Sequence, residues 1–396
     1  MQHLHYPLPT AAELIRRAHK ETGIDLVDHE AREPLEILVA SINKESQLHR
    51  DGAIAMEAYL LRILSNRLRM KRDIEAHPEI LDEHLQPPVI ICGPPRTGTT
   101  KLHKMLAHSG DFNWLTFWQS LYPSLMTGER SESPNPRIEA TDAYADWFRA
   151  YSPSARSGHE FATHEPEEEL FIIEQSLISP VPTAWSVVDD YLGWFLEQDM
   201  QFRMQHLQKT LQYLQWQGYG SSDKPWILKY PMYFGSELEL LKIFPGAKLL
   251  ATHRLPRESV PSTQRMFEIL HAPYTNHWND IYDAAFRYSI LIGNHMAVRS
   301  QIPENTMLDL YYEQIVRSSD AWIAQIYEMA NLELSPMSMA RIKGWLAHNP
   351  QHKKGRHQYS AEQYGTNALE LDNMFADYMQ LLYQLFPNEI ERLKAS

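Results

Sequence analysis

The stretch VIICGPPRTGTT, residues 89–100, decides the fold. Its first four residues, 89–92, form a short continuous apolar run that predicts a buried strand. Residues 93–98 form a glycine-containing loop, and a helical pattern follows over 98–108. A loop between a strand and a helix directs successive backbone N–H groups and the N-terminus of the helix toward one point. The order of these elements therefore predicts a site for a phosphate or a similar anion.

The loop has the spacing of the phosphate loop G-x-x-x-x-G-K-[ST]. Gly93 and Gly98 occupy the glycine positions and Thr100 supplies the hydroxyl, but Thr99 stands where that loop has lysine. Arg96 is the one cation in this loop sequence. Without the lysine, the cradle for β- and γ-phosphates beside magnesium is incomplete, which argues against ordinary ATP or GTP chemistry. A glycine turn with an incidental arginine is the alternative interpretation.

Further strand-like runs alternate with helical patterns along the chain. The runs are 226–229, 248–252 and 307–310, and the helical patterns are 166–176, 190–217, 235–244, 257–270, 282–300, 312–331 and 371–394. This alternation predicts parallel βαβ units. We predict an α/β fold with a three-layer, P-loop-like parallel sheet flanked by helices.

The N-terminal part of the chain differs from the rest. Residues 11–82 carry apolar side chains at helical spacing, which predicts an N-terminal helical region over 1–86 and an α/β domain over 87–396. The polar stretch 128–137 contains prolines and predicts an exposed loop or flap rather than a linker.

The composition predicts a globular protein and limits its partners. Among 396 residues, 50 acidic and 37 basic side chains give a net charge of −13, which opposes binding to nucleic acid or an anionic membrane. The single cysteine, Cys92, excludes an intramolecular disulfide and a cysteine-rich zinc site. No apolar run approaches the roughly 18 residues of a spanning helix, and residues 1–10 lack the features of a signal peptide. We therefore expect a cytoplasmic location.

Two other segments contain candidate anion-binding residues. Arg254 follows the run 248–252, and ligands of open parallel sheets collect beyond the carboxyl ends of strands. Ser262 lies about two turns into the next helix, where it is placed to share a phosphate with Arg254. Residues 352–365 are cationic and contain Tyr359, a candidate for stacking on a base. The alternatives are a surface ion pair at Arg254 and a solvated charge run at 352–365.

Together these segments resemble the broad bacterial branch of the sulfotransferases that use 3′-phosphoadenosine-5′-phosphosulfate (PAPS) as the sulfuryl donor. The phosphosulfate loop of that family matches residues 95–100, its strand-end arginine and later serine match Arg254 and Ser262, and its late Gly-Arg-His-x-Tyr-Ser segment matches 355–360. The resemblance frames residues 87–365. It implies that PAPS is bound, with no metal required, by Arg96, Thr97, Gly98, Thr99, Thr100, Arg254, Ser262, Arg356, His357 and Tyr359.

Two positions depart from the family pattern. Leu255 stands where aspartate is usual after the arginine, so one local carboxylate is missing. Many relatives follow a strand-end lysine with Ser-Pro-x-His, whereas Lys229 is followed here by Tyr-Pro-Met-Tyr. The role of that histidine therefore does not transfer to Tyr233.

Sulfuryl transfer needs a base for the acceptor and positive charge for the departing phosphate oxygen. Lys229 ends a predicted strand and is the candidate for that oxygen, with a surface lysine as the alternative. Residues 158–170 are similar to the His-Glu…Pro-Glu-Glu stretch of the branch. We predict that Glu160 is the base and that His159 either orients it or stabilises charge. A metal at this segment is an alternative, although the H-E-x-x-H spacing is lacking.

The sequence thus predicts a PAPS-dependent sulfotransferase acting on a hydroxyl or amine of a small, lipophilic acceptor. It predicts no nucleic-acid partner and no stable membrane insertion, and leaves homo-oligomer formation open. Several aromatic residues either line an acceptor pocket or form core: Trp114, Phe117, Trp118, Tyr122, Trp185, Tyr191, Trp194 and Phe195. The alternative functions are a nucleotide or small-molecule kinase, with Asp309 as a magnesium ligand, and a non-catalytic nucleotide-binding protein.

Overall fold

The computed structural model describes residues 6–152, 161–277, 281–350 and 361–394, which fall into two compact units. Unit 1 comprises Met1–Leu85, Leu115–Ser222 and Met266–Trp278, and unit 2 comprises Gln86–Trp114, Asp223–Arg265 and Asn279–Ser396. The N-terminal helical region therefore shares a unit with residues from the middle of the chain. The division into domains 1–86 and 87–396 stays a prediction.

Among the described residues, unit 2 contains a parallel sheet of four strands in the order β2-β1-β3-β4. The strands are β1, Gln86–Cys92, β2, Pro225–Lys229, β3, Lys248–His253, and β4, Met307–Tyr311. All of them coincide with predicted apolar runs, because strands covered by helices on both faces need apolar side chains on both. The sheet and its flanking helices confirm the predicted α/β fold class.

α-Helices flank the sheet and build unit 1. In chain order they are α1, Ala11–Thr22, α2, His29–Glu45, α3, Arg50–Ala76, α4, Thr99–Ala107, α5, Phe117–Leu121, α6, Asn135–Tyr151, α7, Leu170–Ile173, α8, Pro182–Trp185, α9, Asp189–Leu196, α10, Gln201–Trp216, α11, Glu237–Ile243, α12, Pro256–His271, α13, Ile281–Val298, α14, Tyr312–Arg317, α15, Asp320–Met329, α16, Pro336–His348, α17, Ala368–Met374, α18, Ala376–Leu385, and α19, Pro387–Lys394. Helices α1 to α3 occupy the predicted N-terminal helical region. Helices α4, α15 and α16 pack on one sheet face through an apolar cluster that includes Val89, Leu102, Ile323 and Ile342.

The strand register brings the functional segments to one edge of the sheet. Ile91 of β1 lies opposite Lys229 of β2, and Ala251 of β3 lies opposite both Cys92 and Asp309. Because the strands are parallel, the residues that follow them emerge together at their carboxyl ends. This is the edge at which open parallel sheets bind ligands.

One helix begins later than predicted because of a tertiary contact. The helix predicted over 166–176 begins at Leu170, since the backbone of Pro166 pairs with that of Thr116 in an antiparallel bridge. Proline at the first helical position is common, but here the backbone partner of Pro166 decides its conformation.

Other boundaries also differ. Helix α6 begins at Asn135, inside the stretch 128–137 that the sequence predicted as a loop. The helix predicted over 312–331 is interrupted at Ser318, whose φ of 49° lies in the left-handed region.

None of the described helices is both long and apolar enough to cross a membrane.

Candidate functional site

The loop after β1 passes through left-handed backbone at two residues. Arg96 has a φ of 69° and Gly98 a φ of 95°. Glycine adopts this conformation freely, whereas it costs another residue about 1–2 kcal/mol. Helix α4 begins at Thr99, which is buried, and its first backbone N–H groups lack acceptors within the helix. These N–H groups, Arg96 and the exposed Thr100 therefore share the carboxyl edge of the sheet.

Glycine at position 93 lets the loop lie against β3. A Cβ on Gly93 would lie 2.0 Å from Oγ1 of Thr252 and 2.7 Å from its carbonyl oxygen. Thr97 holds the loop to the same residue, because its Oγ1 lies 2.6 Å from Oγ1 of Thr252 and donates to the carbonyl of Pro94 at 2.7 Å. The Thr97 hydroxyl is thus used inside the protein, which leaves its backbone N–H as the group that can face a ligand.

Three residues from separate predicted segments meet at this edge. Nε of Arg96 donates to Oγ of Ser262 at 2.9 Å, and Nη1 of Arg254 donates to the carbonyl oxygen of Arg96 at 3.1 Å. Ser262 is buried in α12, whereas Arg254 is half-buried. A serine hydroxyl both accepts and donates, so Ser262 can bind Arg96 and an anionic oxygen at once. The contacts place two guanidinium groups beside the start of α4.

The structure adds two residues that sequence reasoning missed. The guanidinium of Arg254 lies 4.1 Å from the ring centre of Tyr312, and its Nε donates to Glu258 at 2.9 Å. The Tyr312 ring also approaches Gly98, where a Cβ would lie 3.3 Å from a ring carbon. Tyr312 follows β4 directly, so the strand-end argument that identified Arg254 also applies to it. Cation–π contact and ion pairing hold Arg254 in position before a ligand binds.

A buried polar network fixes the end of β3 next to Arg254. Nε2 of His253 lies 2.9 Å from Oδ1 of Asp309, and Arg299 donates to both oxygens of Asp309 at 2.8 and 2.6 Å. Burial alone would raise the pKa of Asp309, but the hydrogen bonds from His253 and Arg299 hold it well below its ordinary value. Asp309 is committed to these partners. This argues against its alternative role as the magnesium ligand of a kinase.

Two lysines lie on elements next to the loop. Lys229, the candidate for the departing oxygen, ends β2 and is 2% exposed. Lys101 of α4 donates from Nζ to the carbonyl oxygen of Val316 at 2.7 Å, and burial lowers its pKa. Lys101 therefore does not replace the lysine that the loop lacks.

Five predicted site residues lie outside the described residues: His159, Glu160, Arg356, His357 and Tyr359. Their roles stay predictions. Within residues 6–152, 161–277, 281–350 and 361–394, no group of three or more His, Cys, Asp or Glu side chains is arranged to hold a metal ion.

The phosphate loop lacks a lysine, and a second arginine contacts it at the same edge of the sheet. The comparison with known protein families agrees with this arrangement. The model of the "Sulfotransferase family" matches residues 87–336. The chain belongs to the sulfotransferase family. This confirms the predicted enzyme class, and the kinase alternative is not favoured.

Known sulfotransferases resemble the chain along most of its length. Omega-hydroxy-beta-dihydromenaquinone-9 sulfotransferase Stf3 of Mycobacterium bovis and of Mycobacterium tuberculosis is in each case 25% identical over 295 residues, covering 70% of this chain and 71% of the relative. The crystal structure of sulfotransferase STF9 from Mycobacterium avium has a TM-score of 0.82 and 25% identity, covering 94% of this chain and 96% of that chain. Sulfotransferase STF1 from Mycobacterium tuberculosis H37Rv shares the fold, with a TM-score of 0.76, 23% identity, and coverage of 93% and 99%.

Five of the candidate acceptor-pocket aromatics of this sulfotransferase are buried: Phe117, Trp118, Trp185, Tyr191 and Phe195. Tyr122 instead lines a cavity within unit 1.

The variant Gly93→Ala tests the contact that holds the loop. The added methyl group collides with Thr252, so we expect the free energy of unfolding to fall by about 1–3 kcal/mol, as at other overpacked sites. Gly344→Ala is the matched control, because Gly344 lies within α16 and, apart from its chain neighbours and the backbone of its own helix, no atom of the described residues would lie within 4 Å of its Cβ. The control should gain about 0.4–1 kcal/mol. Urea unfolding followed by circular dichroism measures both, and equal effects would contradict the close contact at Gly93.

Proposed function

We propose that this sulfotransferase transfers the sulfuryl group of PAPS to a hydroxyl or amine of a small, lipophilic acceptor. The observation that carries the proposal is the contact of Arg96 with Ser262, together with the bond from Arg254 to the Arg96 carbonyl. One guanidinium thus belongs to the phosphate loop and another follows β3. This pair suits a nucleotide with anionic groups at both its 5′ and 3′ positions, whereas a nucleoside triphosphate carries its phosphates at the 5′ position alone.

The site residues divide between the two ends of the donor. We assign the 5′-phosphosulfate to Arg96, Thr100 and the backbone N–H groups from Thr97 to the start of α4. We assign the 3′-phosphate to Arg254 and Ser262, because a charge-assisted bond from arginine to phosphate is strong. The family resemblance supplies three further donor-binding residues in the late segment: Arg356, His357 and Tyr359.

The chemistry requires a proton acceptor and a stabilised leaving group. The acceptor oxygen or nitrogen forms a bond to sulfur, the bond from sulfur to the 5′-phosphate oxygen breaks, and 3′,5′-adenosine bisphosphate leaves. Lys229 and Arg96 are assigned to the negative charge that grows on the departing oxygen. Glu160 takes the proton of the acceptor and His159 orients Glu160. These assignments need no metal.

The class of acceptor is inferred from the relatives and from charge. The curated relatives are named for a hydroxylated dihydromenaquinone, which is an apolar alcohol. By similarity we propose a neutral, lipophilic acceptor, and the net charge of −13 disfavours a polyanionic one. We further propose a cytoplasmic enzyme, in keeping with its single cysteine.

A comparison of two nucleotides tests the donor site. We expect 3′,5′-adenosine bisphosphate to raise the melting temperature without added metal, and 5′-AMP to raise it much less, because the 3′-phosphate engages Arg254 and Ser262. A ligand at 100 times its Kd adds about 2.7 kcal/mol to the free energy of unfolding, which differential scanning fluorimetry detects.

The control for this comparison lies in α12. Arg254→Ala should remove most of the difference between the nucleotides, whereas Arg257→Ala should keep it, because Arg257 donates to Asp372 at 2.9 Å. Equal stabilisation of the unmodified enzyme by both nucleotides would contradict the assignment of Arg254 and Ser262.

The proposed base is tested by single-turnover transfer to a phenol. Loss of a general base typically slows a reaction by about 10²–10⁴-fold, so Glu160→Gln should lose turnover to that extent and keep bisphosphate binding. His159→Ala, measured beside it, should be less impaired. Near-normal turnover of Glu160→Gln with failure of His159→Ala would make His159 the base, and activity of both variants would exclude both residues.

A further inference from the structure

The end of β3 is held on both faces of the sheet. Successive side chains of a strand point to opposite faces. Thr252 lies on the face that meets the phosphate loop, because its hydroxyl contacts that of Thr97. His253 therefore lies on the other face, where its ring is buried. Arg254, the arginine assigned to the 3′-phosphate, is the next residue, so the contacts of His253 help to decide where Arg254 leaves the strand.

Both ring nitrogens of His253 have polar partners. Nδ1 lies 2.8 Å from the hydroxyl oxygen of Tyr378 in α18, and Nε2 lies 2.9 Å from Oδ1 of Asp309. Burial lowers the pKa of His253, which agrees with a neutral ring, and burial raises the pKa of the Tyr378 hydroxyl, which therefore stays protonated. Because a carboxylate only accepts hydrogen bonds, Nε2 carries the proton of the ring and Nδ1 accepts one from Tyr378. With a neutral ring, this arrangement of protons satisfies all three groups.

The hydrogen bonds continue from Asp309 to the neighbouring helices. Arg299 donates to both oxygens of Asp309, and its Nη1 also lies 3.2 Å from Nε2 of His295. Arginine has no acceptor, so Nε2 of His295 accepts, and its Nδ1 donates to Oε1 of Glu237 at 2.6 Å. His295 and Glu237 are fully buried. The network thus joins α11, α13, β3, β4 and α18 within unit 2.

The same network holds the segment that follows β2. Oε2 of Glu237 accepts a hydrogen bond from the backbone N–H of Gly235 at 2.8 Å, and the ring of Phe234 stacks on that of His295 with ring centres 3.9 Å apart. Separating one partner from a buried charge is costly, because the other charge is left uncompensated. The network therefore gives His253 a fixed support that extends well beyond β3.

The C-terminal helices supply the directional part of this support. The ring centres of Phe386 and Tyr378 lie 5.6 and 5.9 Å from that of His253. Apolar packing holds a ring in place but is not directional, whereas a hydrogen bond requires its donor and acceptor to be aligned. The hydroxyl of Tyr378 therefore fixes which way the imidazole of His253 turns, and so keeps Nε2 toward Asp309.

We propose that His253 and Tyr378 are positioning residues for the 3′-phosphate of PAPS. Tyr378 fixes the orientation of His253, the bond from His253 to Asp309 fixes the end of β3, and Arg254 therefore leaves the strand where it meets the phosphate. Both residues act through Arg254 and not by contact with the donor. The proposal rests on the proposed function, which assigns the 3′-phosphate to Arg254, and it makes α18 part of the support of that site.

A ratio of two dissociation constants tests this role. The Kd of 5′-AMP divided by the Kd of 3′,5′-adenosine bisphosphate, both measured by isothermal titration, isolates the contribution of the 3′-phosphate. Tyr378→Phe removes the hydroxyl and keeps the ring. We expect it to lower the ratio about fivefold or more, because a charge-assisted bond weakens when its donor is displaced. A merely structural role of Tyr378 would lower the stability of the protein and leave this ratio unchanged.

Tyr327→Phe is the matched control. Tyr327 is as deeply buried as Tyr378 and lies in the same unit, and its hydroxyl donates to Asp111 at 2.6 Å. Asp111 follows α4, away from the residues that leave the carboxyl ends of the strands. The control therefore also loses a tyrosine hydrogen bond, but it should keep the ratio of the unmodified enzyme.

A double variant tests whether Tyr378 acts through Arg254. In Arg254→Ala the side chain to be positioned is absent, so adding Tyr378→Phe should change the ratio by less than about twofold, as expected for two residues that act on one interaction. If Tyr378→Phe lowers the ratio by the same factor with and without Arg254, the proposed route through Arg254 is wrong.

The remaining outcomes separate this proposal from the proposed function. An unchanged ratio in folded Tyr378→Phe would overturn the positioning role, while the donor site stands. A ratio near one in the unmodified enzyme would contradict the assignment of Arg254 itself, and the positioning role with it. If circular dichroism shows that Tyr378→Phe does not fold, Arg299→Lys is judged by the same ratio, because lysine keeps the charge and loses the paired bonds that hold Asp309. Its ratio should also fall, and an unchanged ratio would overturn the proposal.

Discussion

The loop after β1 lies directly against the end of β3, and glycine at position 93 makes this approach sterically allowed. Since β1 and β3 are parallel neighbours, the residue that leaves β1 and the side chain of Thr252 would otherwise compete for one space. The hydroxyl of Thr97 holds the loop to Thr252 as well. With the loop fixed in this way, Arg96 takes up a left-handed conformation and its carbonyl accepts a hydrogen bond from Arg254. Backbone packing therefore fixes where both arginines leave the chain, and contacts with Ser262, Glu258 and Tyr312 position their guanidinium groups.

Charge at this edge is organised within the protein itself. Arg254 contacts Glu258 and Tyr312, and Asp309 is neutralised by Arg299, although the chain as a whole is strongly acidic. Side chains that are already ordered lose less conformational entropy when a ligand binds.

Much of the fold could be predicted, because strands buried on both faces appear in the sequence as continuous apolar runs. The donor-binding segments could also be located, because the carboxyl ends of parallel strands meet at one edge of the sheet. Contacts between distant segments could not be predicted. They include the pairing of Pro166 with Thr116, the Tyr312 ring beside Arg254, and a cavity whose walls come from helices far apart in the chain. Local sequence also does not say whether an aromatic ring faces core or ligand, and Tyr122 was distinguished from its buried neighbours by the structure alone.

We propose that Arg96 provides in this loop the charge that lysine provides in nucleoside triphosphatases. Isothermal titration of 3′,5′-adenosine bisphosphate into the unmodified enzyme, Arg96→Ala and Thr100→Ala tests it most directly. A charge-assisted bond contributes about 1.5–3 kcal/mol and a neutral one about 0.5–1.5 kcal/mol, so Arg96→Ala should lose more binding free energy than Thr100→Ala. A greater loss in Thr100→Ala, with Arg96→Ala folded and binding normally, would show that Arg96 serves the structure of the loop and not the ligand.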